Sequence, residues 1–131
     1  MGSLLSQLKK DYPDLTFVPG DSFYWSPQKN KIHYRLIDES PQSAWPLLHE
    51  LGHAELGHRR YSTDFELLTL EIEAWEHAKK LAAKYGYQIE EDHIQDCLDT
   101  YRDWLYRRST CPKCTMNCLQ IETDTYRCYN C

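Results

Sequence analysis

The sequence predicts an α+β fold: a small antiparallel or mixed sheet, three main helices, and a cysteine-paired segment at the C-terminal end. Three observations carry that prediction. Residues 15–37 alternate short runs rich in aromatic and β-branched residues with Pro, Gly and Asn, the pattern of brief strands and turns. Three stretches between residues 43 and 108 repeat apolar residues at helical spacing. Two C-x-x-C pairs then close the chain in a stretch with few apolar residues. At 131 residues, with 41% hydrophobic and 27% charged, the composition is that of an ordinary globular chain with one modest core and a small appendage. The expected division is a main domain over residues 1–108 and a small one over 109–131.

In chain order, Leu4, Leu5 and Leu8 share one side of a short helix that Pro13 ends. Residues 15–18 form a strand bounded by Pro19 and Gly20, and residues 22–25 form a second. After the turn-rich residues 26–30, the alternating stretch 31–37 makes a third strand, so that 22–37 is a hairpin. Asp38 to Pro41 break the strand, and Ser43 is the expected N-cap of the next helix, with Pro46 in its tolerant first turn and Gly57 as its stop. Ser62, Thr63 or Asp64 caps a second helix that runs from Phe65 to about Tyr85 and closes at Gly86. A third helix, from about Glu90 to Arg108, aligns Ile94, Cys97, Leu98, Tyr101, Trp104 and Leu105. Cys97 is then a buried core thiol.

Chemistry enters with His49-Glu50-Leu51-Gly52-His53, an H-E-x-x-H motif on the first main helix. Two imidazoles four residues apart lie on one helix face, where both can reach one Zn²⁺ at about 2.0–2.1 Å. Glu50 stands beside the first and can take the proton of a water acidified by the metal. A third ligand is needed. On the following helix, with about 100° per residue from Phe65, the residues Leu67, Leu68, Leu70, Ile72, Ala74, Trp75, Ala78, Leu81 and Ala82 fill an arc from about 140° to 340°. Glu71 falls near 240°, inside that arc, where an unpaired carboxylate is costly to bury. Glu71 is therefore the leading third ligand and Glu73 the runner-up. His58 follows His53 by five residues and would point about 140° away in a continued helix. With only Gly57 to redirect it, His58 is expected at the helix end or supporting a ligand. Tyr61 and His77 are candidate donors to a tetrahedral oxyanion.

With His49-Glu50-Leu51-Gly52-His53 followed by Glu71-Ile72-Glu73-Ala74-Trp75-Glu76-His77-Ala78, the chain resembles the ImmA/IrrE family of zinc metallopeptidases, which carry a similar H-E-x-x-H and a downstream E-x-x-A-x-x-x-A. The resemblance covers roughly residues 14–83, hairpin included. It implies a minimal zincin fold, zinc ligands at His49, His53 and Glu71, and Glu50 as general base. Trp75 stands where the family usually has Asn or Asp. Many members also carry a helix-turn-helix DNA-binding domain, for which this chain has no length to spare.

Cys111-x-x-Cys114 and Cys128-x-x-Cys131, thirteen residues apart, resemble a zinc ribbon. Each pair offers two thiolates to one tetrahedral Zn²⁺, and residues 119–126 can form a hairpin between them. So little apolar content requires the metal for folding. Cys118 is left over, as a spare thiol, an alternative to Cys114, or a thiolate that reaches the catalytic zinc and silences it.

The expected cofactors are thus two Zn²⁺, one catalytic and one structural. A net charge of −5 argues against a broadly basic nucleic-acid-binding surface. Nucleic acid through the ribbon is not favoured, and no apolar run suits a membrane span. Paired cysteines with metal spacing and no secretory signal point to the cytoplasm. The expected activity is hydrolysis of peptide bonds in a specific protein target, such as a regulator or repressor, with a regulatory protein partner in addition to the substrate. Two rivals remain. A SprT-like DNA-associated protease also joins H-E-x-x-H to a ribbon, but usually draws its third ligand from a later His. The other is a zinc-stabilised binding module without catalysis.

Overall fold

The computed structural model describes residues 2–35 and 40–131. Over these residues the fold is α+β, with four α-helices and two small sheets. Contacts divide the chain into two compact units, residues 1–59 with 73–90 and residues 60–72 with 91–131. The cysteine-rich end therefore groups with the last helix and with residues 60–72.

In the first unit, α1 (Gly2–Asp11) buries Leu4, Leu5 and Leu8, as the spacing requires. Strands β1 (Thr16–Pro19), β2 (Tyr24–Ser26) and β3 (Lys31–Tyr34) form a mixed sheet in the order β1-β3-β2. β1 runs parallel and β2 antiparallel to β3, so Phe17 and Trp25 both register with the fully buried Ile32. The hairpin turn closes with Asn30 at φ +57°, a conformation Asn tolerates. Its Nδ2 donates to the Asp14 carbonyl at 2.7 Å. The expected end of the third strand at Ile37, with the break at Asp38 and Glu39, lies outside the described residues.

Helix α2 (Ala44–Glu55) packs on β2 and β3 and buries Leu47, Leu48 and Leu51 completely. Ser43 takes the expected N-cap position but makes no capping bond with its side chain. A 3₁₀ turn over Pro41–Ser43 leads into the helix, Ser43 already has helical angles, and its hydroxyl donates back to the Ser40 carbonyl at 2.6 Å. A side chain committed behind the helix cannot reach the amides ahead of it. Helix α3 (Asp64–Lys84) is unbroken. It closes with Gly86 at φ +80°, where the Tyr87 N–H returns to the Ala82 carbonyl at 2.7 Å, a glycine-terminated wrap. Ala74, Trp75, Ala78, Leu81 and Ala82 are buried. α2 and α3 meet backbone to backbone, since a Cβ on Gly52 would stand 2.6 Å from the Ala74 carbonyl oxygen.

The second unit contains the start of α3, α4 (Glu91–Ser109), and the antiparallel pair β4 (Leu119–Glu122) and β5 (Thr125–Arg127). Thr63 caps α3. Its hydroxyl accepts the Glu66 N–H at 3.1 Å while the Glu66 carboxylate accepts the Ser62 N–H at 3.1 Å, a reciprocal arrangement close to a capping box. Along α4, Ile94 and Leu98 take the buried line. Cys97, expected in the core, is half-buried beside it, with Sγ 3.6 Å from His93 Nε2. Among the described residues, no helix is long and apolar enough to cross a membrane.

Candidate metal centres

Two helices carry the donors of the first group. His49 and His53 lie one turn apart on α2, with ring centroids separated by 4.7 Å. Glu71 lies on the same unbroken helix as Ala74, the residue against which Gly52 abuts. Ligand atoms of His49, His53 and Glu71 all fall within 4.8 Å of one another. Glu71 is only 7% exposed, whereas Glu73 is exposed; the periodicity argument chose between them correctly as to burial. Glu50 Oε1 lies 3.7 Å from His49 Nδ1, and both side chains are 13% exposed.

Each of the three donors touches a neighbour that steadies it. The His49 ring stacks on the Trp75 indole at 4.1 Å with planes 4° apart. The Tyr101 hydroxyl, from α4, donates to Glu71 Oε1 at 3.1 Å. His53 Nδ1 lies 2.9 Å from His58 Nδ1. Neither Trp75 nor Tyr101 was singled out from sequence as a site residue. Tyr101 left a trace there, as the one hydroxyl in the α4 stripe, but nothing local said which element it would face.

No protein-family model, characterised protein or solved structure matches the chain. Two imidazoles and one carboxylate are a donor set that suits Zn²⁺ and leaves a fourth position for water or substrate. His77 and Tyr61 are not among the grouped ligand atoms. His77 Nε2 pairs with Glu55 Oε2 at 2.5 Å, and Tyr12 donates to the other oxygen of Glu55 at 3.0 Å. Tyr61 is 49% exposed between α2 and α3.

The second group is Cys111, Cys114, Cys128 and Cys131, whose sulfurs also lie within 4.8 Å of one another. Cys111 and Cys131 are 3.7 Å apart at sulfur, and Cys114 and Cys128 are 3.5 Å apart. A tetrahedron with metal–sulfur bonds of about 2.3 Å has edges of roughly 3.8 Å, and a disulfide would need about 2.05 Å. The four thiols thus have the spacing of a metal site. The backbone amides of Cys114 and Lys113 point at the Cys111 sulfur and hold its thiol down to about 6. Amides of Asn130 and Cys131 lower Cys128 likewise. Burial, with the Cys128 sulfur nearby, pushes the Cys118 thiol up; Cys118 stands outside the four.

The same unit buries one carboxylate. Asp64, 5% exposed at the first turn of α3, accepts from Arg108 Nε at 2.7 Å and from the Tyr126 hydroxyl at 2.6 Å, while its N–H donates to Gln120 Oε1 at 2.8 Å. Burial opposes its ionisation, but Tyr126 and Arg108 outweigh burial and hold the carboxyl below the usual range. The cysteine-rich hairpin is thereby tied to the helix that carries Glu71 and to the helix that carries Tyr101.

Proposed function

We propose that the chain is a zinc-dependent endopeptidase of the ImmA/IrrE kind, built on a minimal zincin fold, which cleaves a specific protein target. The observation that carries this reading is the convergence of His49, His53 and Glu71 with Glu50 beside the first of them. His49, His53 and Glu71 would hold the metal. A bound Zn²⁺ supplies a Lewis acid that polarises a carbonyl and acidifies water. Glu50 takes the proton of the attacking water on its carboxylate and returns it to the leaving amine, first base and then acid. Tyr101 holds Glu71 in place, and the stacked Trp75 fixes the plane of His49 and keeps water from that face of the ring. β2, at the sheet edge and packed on α2, offers its outer side to an extended peptide. Limited cleavage of a regulator, rather than digestion, is suggested by the family resemblance alone.

Cys111, Cys114, Cys128 and Cys131 would hold a second, structural Zn²⁺, since four thiolates close the coordination shell. Their spacing favours one rival reading, a zinc-stabilised binding module without catalysis. Glu50→Gln separates the two. On the peptidase reading the variant keeps two zinc ions per chain and loses target cleavage by about 10²-fold or more. Unchanged cellular activity in that variant would favour the binding module.

A further inference from the structure

The end of α2 is built so that a second imidazole folds back on the first. Gly57 follows the helix with φ +72°, a left-handed conformation that costs glycine nothing. The wrap brings the His58 N–H to the His53 carbonyl at 3.0 Å and the Gly57 N–H to the Ala54 carbonyl at 3.1 Å. From β2, Trp25 Nε1–H donates to the His58 carbonyl at 2.9 Å. Both backbone polar groups of His58 are therefore engaged, and its ring is aimed before any metal is considered. The ring meets His53 edge-on, with planes at 64° and centroids 5.2 Å apart.

The Nδ1 atoms of the two rings lie 2.9 Å apart, and two bare lone pairs do not approach so closely, so one nitrogen carries a proton. If His58 carries it, neutral His53 keeps its own proton on Nε2 and cannot ligate through that atom. If His53 carries it, its Nε2 lone pair is free for a metal. We propose that His58 is a positioning residue: its Nδ1 accepts the His53 Nδ1–H and fixes His53 as an Nε2 donor. His49, for its part, stacks on the Trp75 indole. Orienting partners of this kind are worth about 10–100-fold in metal affinity.

The inference rests on the metallopeptidase reading for His53 as a ligand, and the test separates the two. Zinc affinity and stoichiometry of the full chain are measured against a chromophoric chelator for the parent, His58→Phe and His58→Asn. The Asn side-chain oxygen stands close to where Nδ1 stood and can accept, whereas Phe fills the space without an acceptor. The expected result is two zinc ions per parent chain, with the non-cysteine site weakened about 10–100-fold in His58→Phe and restored to within about threefold in His58→Asn. Parent-like affinity in His58→Phe overturns the inference, and so does equal weakening in both variants, which would mark plain packing. A parent with a single zinc that Cys128→Ser abolishes overturns the metallopeptidase reading and this inference together. Independently of substitution, histidine ¹⁵N–¹H spectra of the zinc-loaded parent should show the His53 proton on Nδ1; a proton on Nε2 overturns the assignment.

Discussion

Replacing Gly52 by Ala tests the helix contact that brings the first three donors together. The added Cβ would stand 2.6 Å from the Ala74 carbonyl oxygen, with the carbonyl carbon at 3.4 Å and Cα at 3.5 Å. Ordinary contact begins near 3.4 Å, so the oxygen is about 0.8 Å too close. The obstacle is backbone in the middle of α3 and cannot turn aside as a side chain would. Two effects then compete. Overpacking costs about 1–3 kcal/mol, while exchanging Gly for Ala inside a helix gains about 1 kcal/mol. The clash should prevail, leaving Gly52→Ala less stable by up to about 2 kcal/mol. Separation of the helices would also move Trp75, next to Ala74 and stacked on His49 at 4.1 Å, so zinc affinity at the non-cysteine site should fall as well. Urea unfolding of the zinc-loaded chain gives the first quantity and chelator competition the second. A variant about 1 kcal/mol more stable with parent-like zinc affinity would refute the packing on which the site depends.

Two further predictions concern carboxylates. Glu71→Gln should weaken the non-cysteine zinc site by more than the roughly 10–100-fold typical of outer partners, while Glu73→Gln, at an exposed position, leaves it unchanged; equal effects in a chelator competition would remove Glu71 from the ligand set. Asp64 has a lowered carboxyl in the folded chain, so its stabilising contribution is complete above the ordinary Asp value of about 3.9 and is lost as the pH falls through the lower, folded value. Urea unfolding of parent and Asp64→Asn from pH 7 to pH 3 should show the stability gap between them narrowing in acid, and a gap that stays constant would contradict the ionised network with Arg108 and Tyr126.

The features visible in the sequence are those a single element encodes. The helical period placed Glu71 among apolar residues and Glu73 outside them, and burial follows that distinction. Gly57 and Gly86 marked helix ends because left-handed termini want glycine. The C-x-x-C pairs marked their cluster because each closes a tight turn whatever lies between. Ser43 takes the N-cap position without the capping bond, because Pro41 starts a 3₁₀ turn that already includes it. Cys97 misled because a stripe shows which residues share a side, not where along its width burial stops.

His58 and Trp75 show why the remainder was harder to see. His58 was expected at the helix end or supporting a ligand; one glycine at φ +72° ends the helix before it, and its imidazole stands beside that of His53. Trp75 occupies a position where the resembling family prefers Asn or Asp, and on sequence grounds it counts as a departure. Stacked flat on His49, it limits the same freedom of the ring that a hydrogen bond from a small polar residue would limit. It does so by surface contact rather than by a proton, and therefore leaves both His49 nitrogens to other partners. A histidine steadied by its face and one steadied by its Nδ1 atom answer differently to substitution: His58 can be replaced by another acceptor, Trp75 only by another flat ring.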